Sequence, residues 1–236
     1  MTAVIDLEHV SAGYGPFRAL FDVNLVVEPG EAVALLGPNG VGKTTVARVA
    51  TGLIEPTEGR VLVDGDDMTG ARVHRFRRAG IIHAPEGRSV FASLSVEENL
   101  ALSFRASRGR SEVPEALERA FALFPALANR RKQVAGTLSG GEQRMLAMAR
   151  VLVEEPKLLV ADELSLGLAP IIVDEVYASL DRLRTAGTAL LIVEQHVGHA
   201  LTLCDRVVLL DHGAIAWEGP SADAVDRVVT TVFATD

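Results

Sequence analysis

Eight consecutive residues, Gly37-Pro38-Asn39-Gly40-Val41-Gly42-Lys43-Thr44, carry the first chemistry legible in this chain. Glycines spaced so closely let successive backbone amides turn toward one point, and converging amides suit phosphate oxygens. The lysine after the last glycine adds a charge able to reach the β- and γ-phosphates of a nucleotide. The Thr44 hydroxyl, with Thr45 beside it, offers the hard oxygen that magnesium prefers. The pattern G-x-x-x-x-G-K-[ST] is informative only between a strand and a helix. Here the apolar run Ala32–Leu36 precedes it, and Val46, Val49 and Ala50 follow at helical spacing. That context disfavours the bland alternative, a flexible glycine loop.

A second group lies where Leu158-Leu159-Val160-Ala161 runs into Asp162-Glu163. A buried strand ending in unpaired carboxylates is costly unless the charges have a use. Asp162 is the candidate for holding magnesium. Glu163 is the candidate general base for an attacking water. Ordinary strand-end acids facing solvent are the alternative, disfavoured beside the phosphate loop.

These groups need a scaffold to hold them. The front third reads as β-rich, with strands at Val4–Val10, Asn24–Val27, Ala32–Leu36 and Arg60–Val63, the last closed by the turn Asp64-Gly65. From about residue 88 to 135 the pattern is helical. Ser95-Val96-Glu97-Glu98 is a capping box, Pro114 suits a first turn, and Leu117, Phe121 and Phe124 repeat at helical spacing, as local core. The chain then alternates: helix Glu142–Glu154, strand Leu158–Ala161, helix Val173–Thr185, strand Ala189–Val193. Alternation implies parallel strands with helical crossovers. A hairpin, Arg206–Leu210 with Ala214–Glu218, precedes an expected C-terminal helix.

Composition narrows the function classes. Of 236 residues, 48% are apolar and only 5% aromatic, which suits a Val/Leu/Ile/Ala core around a parallel sheet. A net charge of −8 argues against nucleic acid as partner. The densest basic patch, Arg72 to Arg78, reads as a solvated helix face. A lone cysteine, Cys204, excludes an internal disulfide and suits a reducing compartment. The opening MTAVIDLEHV lacks a signal-peptide pattern, and no apolar stretch nears the ~18 residues of a spanning helix. The expected location is cytoplasmic, with any membrane role supplied by a partner.

A third motif, Leu138-Ser139-Gly140-Gly141-Glu142-Gln143, stands directly before the helix that leads to Asp162. Alone it could be a generic helix cap or anion nest. With the phosphate loop and the acid-ended strand in this order, the chain resembles ABC ATPases over essentially its whole length. The resemblance implies an α/β fold: a P-loop NTPase core of mostly parallel sheet, an N-terminal antiparallel β-subdomain and an inserted helical subdomain. Residues 1–236 would form one ATPase domain, with the helical part at about 88–155. It further implies ATP and Mg²⁺ as cofactors, and two identical or paralogous subunits packed head to tail. Ser139, Gly140, Gly141 and Glu142 would then meet the nucleotide held by the opposite subunit. Tyr14 matches the adenine-stacking aromatic, and Ser165–Pro170 the loop that contacts the opposite site. Glu86 sits where most relatives carry a glutamine that touches magnesium and senses the permease.

Pro85-Glu86-Gly87-Arg88, Ser95–Leu100 and Leu166–Pro170 are similar to ATP-binding subunits of branched-chain amino-acid uptake systems, with urea and short-chain amide importers alongside. That likeness implies permease partners, an indirect link to a solute-binding protein, and a peripheral position on the inner face of the plasma membrane. The surface from Glu86 to Leu100, with Val90, Phe91 and Leu94, is the expected permease contact.

Three positions depart from the family pattern. Glu86 adds negative charge near magnesium, and Leu164 replaces a proline after Glu163. In Val193-Glu194-Gln195-His196, counting from Glu163 turns Gln195 rather than His196 toward the γ-phosphate, because one residue reverses a strand side chain. A one-residue bulge would bring in His196 instead. Two other readings are a soluble ABC ATPase without a transport role and a weakly hydrolysing structural ATP-binding subunit. The chain's single acidic cassette without heptads or cysteine pairs opposes the first; intact Lys43, Ser139, Asp162 and Glu163 oppose the second.

Overall fold

The computed structural model describes residues 2–84, 90–107, 109–166, 169–194 and 197–224. Glu86, Gln195 and His196 therefore lie outside the described residues, as does most of the expected C-terminal helix. The chain forms two compact units. One is Met1–His83 with Pro156–Glu163 and Leu180–Asp236; the other is Ala84–Glu155 with Leu164–Ser179.

The first unit opens with β1 (Ile5–Tyr14) and β2 (Phe17–Val27), then β3 (Ala32–Leu36), α1 (Lys43–Ala50), β4 (Glu58–Val63), β5 (Asp66–Asp67), α2 (Val73–Arg78) and β6 (Ile81–Ala84). Between the two segments of the second unit comes β7 (Leu158–Asp162), and after them β8 (Ala189–Val193), β9 (Arg206–Asp211) and β10 (Ala214–Pro220). The strands β2-β1-β4-β5 make an antiparallel sheet. A second sheet has the order β10-β9-β3-β8-β7-β6, with β3 parallel to both β8 and β9, and β7 parallel to β8. Every residue of β3, β7 and β8 is buried, which is why their sequences are unbroken apolar runs rather than alternations. Val46, Val49 and Ala50 of α1 share one core with Val33, Leu35, Val160 and Val193.

The first two strands are longer than their sequence pattern suggests. Pairing of β1 with β2 shifts register between Leu7 and Val10 and again toward Gly13, and His9 and Asp22 take positive φ values of 52° and 54°. Such bulges break the two-residue alternation from which a strand is read, so β1 continues to Tyr14 and β2 begins at Phe17. On α2, Arg72, His74, Arg75, Arg77 and Arg78 are exposed and Phe76 is buried, as a solvated face requires.

The second unit contains α3 (Val96–Ser107), α4 (Val113–Leu123), α5 (Pro125–Ala128), α6 (Gly140–Leu152) and the first part of α7 (Pro170–Thr185); α8 (Val197–Leu203) belongs to the first. Ser95 caps α3: its amide donates to Glu98 Oε2 at 2.8 Å while its Oγ accepts from the Glu98 amide at 3.2 Å. Leu100, Phe104, Ala120, Phe121, Phe124, Leu127 and Leu146 fill the interior. Asn99, fully buried, donates to the carbonyls of Phe91, Leu94 and Ser95 and accepts from the Phe91 amide at 2.8 Å. That one side chain fixes the turn before α3. Leu164, in the place of the family's proline, is a buried core residue.

Candidate nucleotide-binding site

Strand β3 ends at Leu36 and the glycine loop carries the chain into α1. Gly42 is the helix N-cap at φ +112°, and a Cβ there would lie 2.8 Å from Ala19 O and from Leu20 Cδ2. Both the backbone angle and the space admit only glycine. Gly40, at φ +79°, faces open space, so its constraint is the angle alone. Val41 packs on the core, and Asn39 is exposed.

Lys43 is buried, and its Nζ donates to the carbonyls of Gly37 at 2.8 Å and Pro38 at 2.9 Å. Burial pulls its pKa down; the carboxylates of Glu163, Asp162 and Glu194 oppose this without reversing it. Thr44 Oγ1 donates to Asp162 Oδ1 at 3.3 Å, joining residues 118 positions apart in sequence. Thr45 is buried behind it.

Asp162 closes β7 with a side chain only 2% exposed. Its second oxygen, Oδ2, lies 3.9 Å from His83 Nε2 on β6. Glu163 turns out of the strand at φ +47° while its amide still donates to Val193 O at 2.8 Å. A left-handed non-glycine residue costs roughly 1–2 kcal/mol, a strain often found at working residues. Glu194, 1% exposed, directly follows β8, and its charge joins the carboxylates around Lys43. Sequence reading did not single it out as a site residue, although an acid ending an apolar strand was the same signal.

Tyr14 ends β1, about half exposed, and its hydroxyl accepts from Arg48 Nη1 at 2.9 Å. The Arg48 guanidinium stands 5.9 Å from the ring centroid, so α1 itself steadies the aromatic face. Arg48 is a further residue that sequence reading passed over.

In the second unit Ser139 caps α6. Its Oγ accepts from the Glu142 amide at 3.3 Å, and its own amide donates to Glu142 Oε2 at 2.9 Å. Glu142 thus has a local task; that backbone hydrogen bond is the main reason its carboxyl titrates below the usual range. Arg130 adds an ion pair at 2.8 Å. Gly140 begins the helix, and a Cβ on Gly141 would stand 3.4 Å from Ile172 Cγ1.

Among the described residues no cluster of three or more His, Cys, Asp or Glu could enclose a metal by itself. Thr44 and Asp162 instead offer a hydroxyl and a carboxylate within hydrogen-bonding distance, the hard-oxygen pair that suits magnesium completed by phosphate oxygens. A parallel sheet feeding a glycine loop and helix, beside an acid-ended strand, defines a P-loop nucleotide-binding domain.

Comparison with known proteins gives the family. Residues 20–165 match the family model described as ABC transporter. The chain is 40% identical, over 93% of its length and 94% of the relative's, to the high-affinity branched-chain amino acid transport ATP-binding protein BraG of Pseudomonas aeruginosa. It is 32% identical to the lipopolysaccharide export system ATP-binding protein LptB of Escherichia coli, covering 98% of this chain and 97% of that one. A dimeric ATP-binding cassette solved in a post-hydrolysis state with ADP and Pi superposes with a TM-score of 0.83 at 25% identity, covering 92% of this chain and 98% of that chain. The chain belongs to the ABC transporter family. As a member it binds ATP and is an ATPase. The expected family and fold class both hold.

Proposed function

We propose that this chain powers an importer whose cargo is a branched-chain amino acid or a related small solute. The observation that carries the reading is its 40% identity, over nearly its whole length, to a branched-chain amino acid transport ATP-binding protein.

The two compact units act as one ATPase domain, residues 1–236, in which about 88–155 is the helical subdomain. The amides of Gly37 to Thr45 and the Lys43 ammonium hold the β- and γ-phosphates. Tyr14 stacks on adenine. Thr44, Asp162 and Glu86 would hold Mg²⁺; the ion, when bound, would neutralise phosphate charge. Glu163 takes a proton from the attacking water, whose oxygen bonds to the γ-phosphorus as the bond to the bridging oxygen breaks, leaving ADP. Gln195 orients that water, His196 being the alternative if a bulge intervenes. Ser139, Gly140, Gly141 and Glu142 meet the γ-phosphate held by a second subunit, identical or paralogous; the dimeric cassette supports this arrangement. Permease subunits dock on the surface from Glu86 to Leu100, and a solute-binding protein delivers cargo from the other side. Among the described residues no helix is long and apolar enough to cross a membrane. The reading as a transporter's ATP-binding subunit, like the relative it matches, puts it at the inner face of the plasma membrane, held by the permeases.

The test is reconstitution with candidate permease subunits and a solute-binding protein. ATP on the cassette side should drive accumulation of labelled leucine or valine, and Glu163→Gln should stop it. The lipopolysaccharide-export relative favours a second reading, outward transport. ATP-driven movement of solute toward the opposite side would replace import with that reading.

A further inference from the structure

We propose that His83 is a positioning residue for Asp162, holding the outer carboxylate oxygen so that the inner one meets Thr44 and the nucleotide-bound metal. The inference rests on the reading of Asp162 as a magnesium-holding residue.

The observation is a divided carboxylate. Asp162 Oδ1 accepts from Thr44 Oγ1 at 3.3 Å, and Oδ2 faces His83 Nε2 at 3.9 Å. The His83 side chain is 10% exposed, and among the described residues its Nε2 has no hydrogen-bond partner. A buried donor left unsatisfied costs about 1–3 kcal/mol, so a histidine in this apolar strand, Ile81-Ile82-His83-Ala84, needs a reason. β6 adjoins β7 in the sheet, which puts that ring beside the strand's terminal carboxylate. At 3.9 Å the contact is longer than a hydrogen bond; a small ring movement or one bridging water closes it. Oδ2 is the acceptor this donor faces. Holding one oxygen removes the rotation that would otherwise swap the two, and outer-shell partners of metal-holding carboxylates act in this way.

The neutral ring suffices, since only the Nε2–H is used. A glutamine reaches the same place with its amide; a leucine or methionine fills the volume without a donor.

The experiment measures Mn²⁺ binding to the chain loaded with a non-hydrolysable ATP analogue, by electron paramagnetic resonance. His83→Leu should weaken Mn²⁺ binding by about 10–100-fold, the usual worth of an outer-shell partner. His83→Gln should restore most of it. Binding of the analogue in EDTA should be the same in all three proteins. If His83→Leu does not fold, as judged by its thermal melt, His83→Met serves as the donor-free variant. Wild-type Mn²⁺ affinity in the donor-free variant, or a glutamine variant no better than it, overturns the inference. Asp162→Asn separates the two layers. Weakened binding there with an unaffected donor-free His83 variant overturns the inference alone; wild-type binding there overturns the reading beneath it as well.

Discussion

Two glycine-rich entries into helices, one at α1 and one at α6, look alike in sequence and are built differently. At α1 the N-cap is Gly42, left-handed and without a side chain to cap the first-turn amides. At α6 the cap is Ser139, and a reciprocal box with Glu142 satisfies two amides from within the chain. The first four amides of a helix need partners, so an uncapped start is about 1 kcal/mol less stable than a capped one. The α1 end is thus suited to receive phosphate. The α6 end is finished without a ligand and presents an exposed, pre-ordered serine. The polar groups around α1 are buried as well: Lys43 and Asp162 are 4% and 1% exposed. One end is a holding site set in a sheet, the other a surface formed in advance.

The largest expected effect tests the holding site. Glu163→Gln should lower ATP turnover by about 10²–10⁴-fold while leaving ATP binding intact, the measure of a positioned base. Near-normal turnover would remove Glu163 from that role. In the same assay of the assembled transporter, Gln195→Ala should cut turnover sharply and His196→Ala should be tolerated; the reverse pattern would show that a bulge brings the histidine in.

Ligand stabilisation sharpens the contrast between the two helix starts. ATP at a hundred times its Kd should stabilise the wild-type chain by about 2.7 kcal/mol, and Lys43→Ala should lose that increment. Ser139→Ala should instead lower the ligand-free stability by about 0.5–2 kcal/mol through the lost cap. In the isolated chain its ATP increment should stay whole. Thermal melts with and without ATP distinguish the cases, and an increment lost in Ser139→Ala would break the comparison.

The last effect comes from a place remote in chemistry from both ends, and it shows only at high pH. Burial pushes the Cys204 thiol from an ordinary 9.0 up to about 12. The folded state thereby favours the neutral thiol. Its contribution is complete below pH 9 and is lost as the pH rises toward 12, by at most ~1.4 kcal/mol per pH unit. Subtracting the denaturant-unfolding profile of Cys204→Ala from that of wild type should isolate this slope. A flat difference would mean that the thiol titrates alike in both states.

Much of the site was legible because its makers are local. The loop Gly37–Thr44 needs glycine where the backbone turns left-handed, as Gly40 and Gly42 do, and that demand is written in residue type. The caps at Ser95 and Ser139 span three residues each, so spacing alone reveals them. Buried strands such as Ala189–Val193 announce themselves as apolar runs of the right length. The extents of β1 and β2 were not legible, since register shifts erase the alternation that marks a strand.

By itself the sequence determined the class of fold, the phosphate loop, the acid-ended strand and the capped start of α6. Each follows from propensities and spacings within a few residues. Only the tertiary structure decided that Thr44 meets Asp162 across 118 positions, that Glu194 joins the carboxylates around Lys43, that Arg48 steadies Tyr14, and that His83 faces Asp162 Oδ2. Those pairings depend on which strands become neighbours in the sheet. Strand order is a property of how the whole chain buries its apolar runs, and no local spacing encodes it.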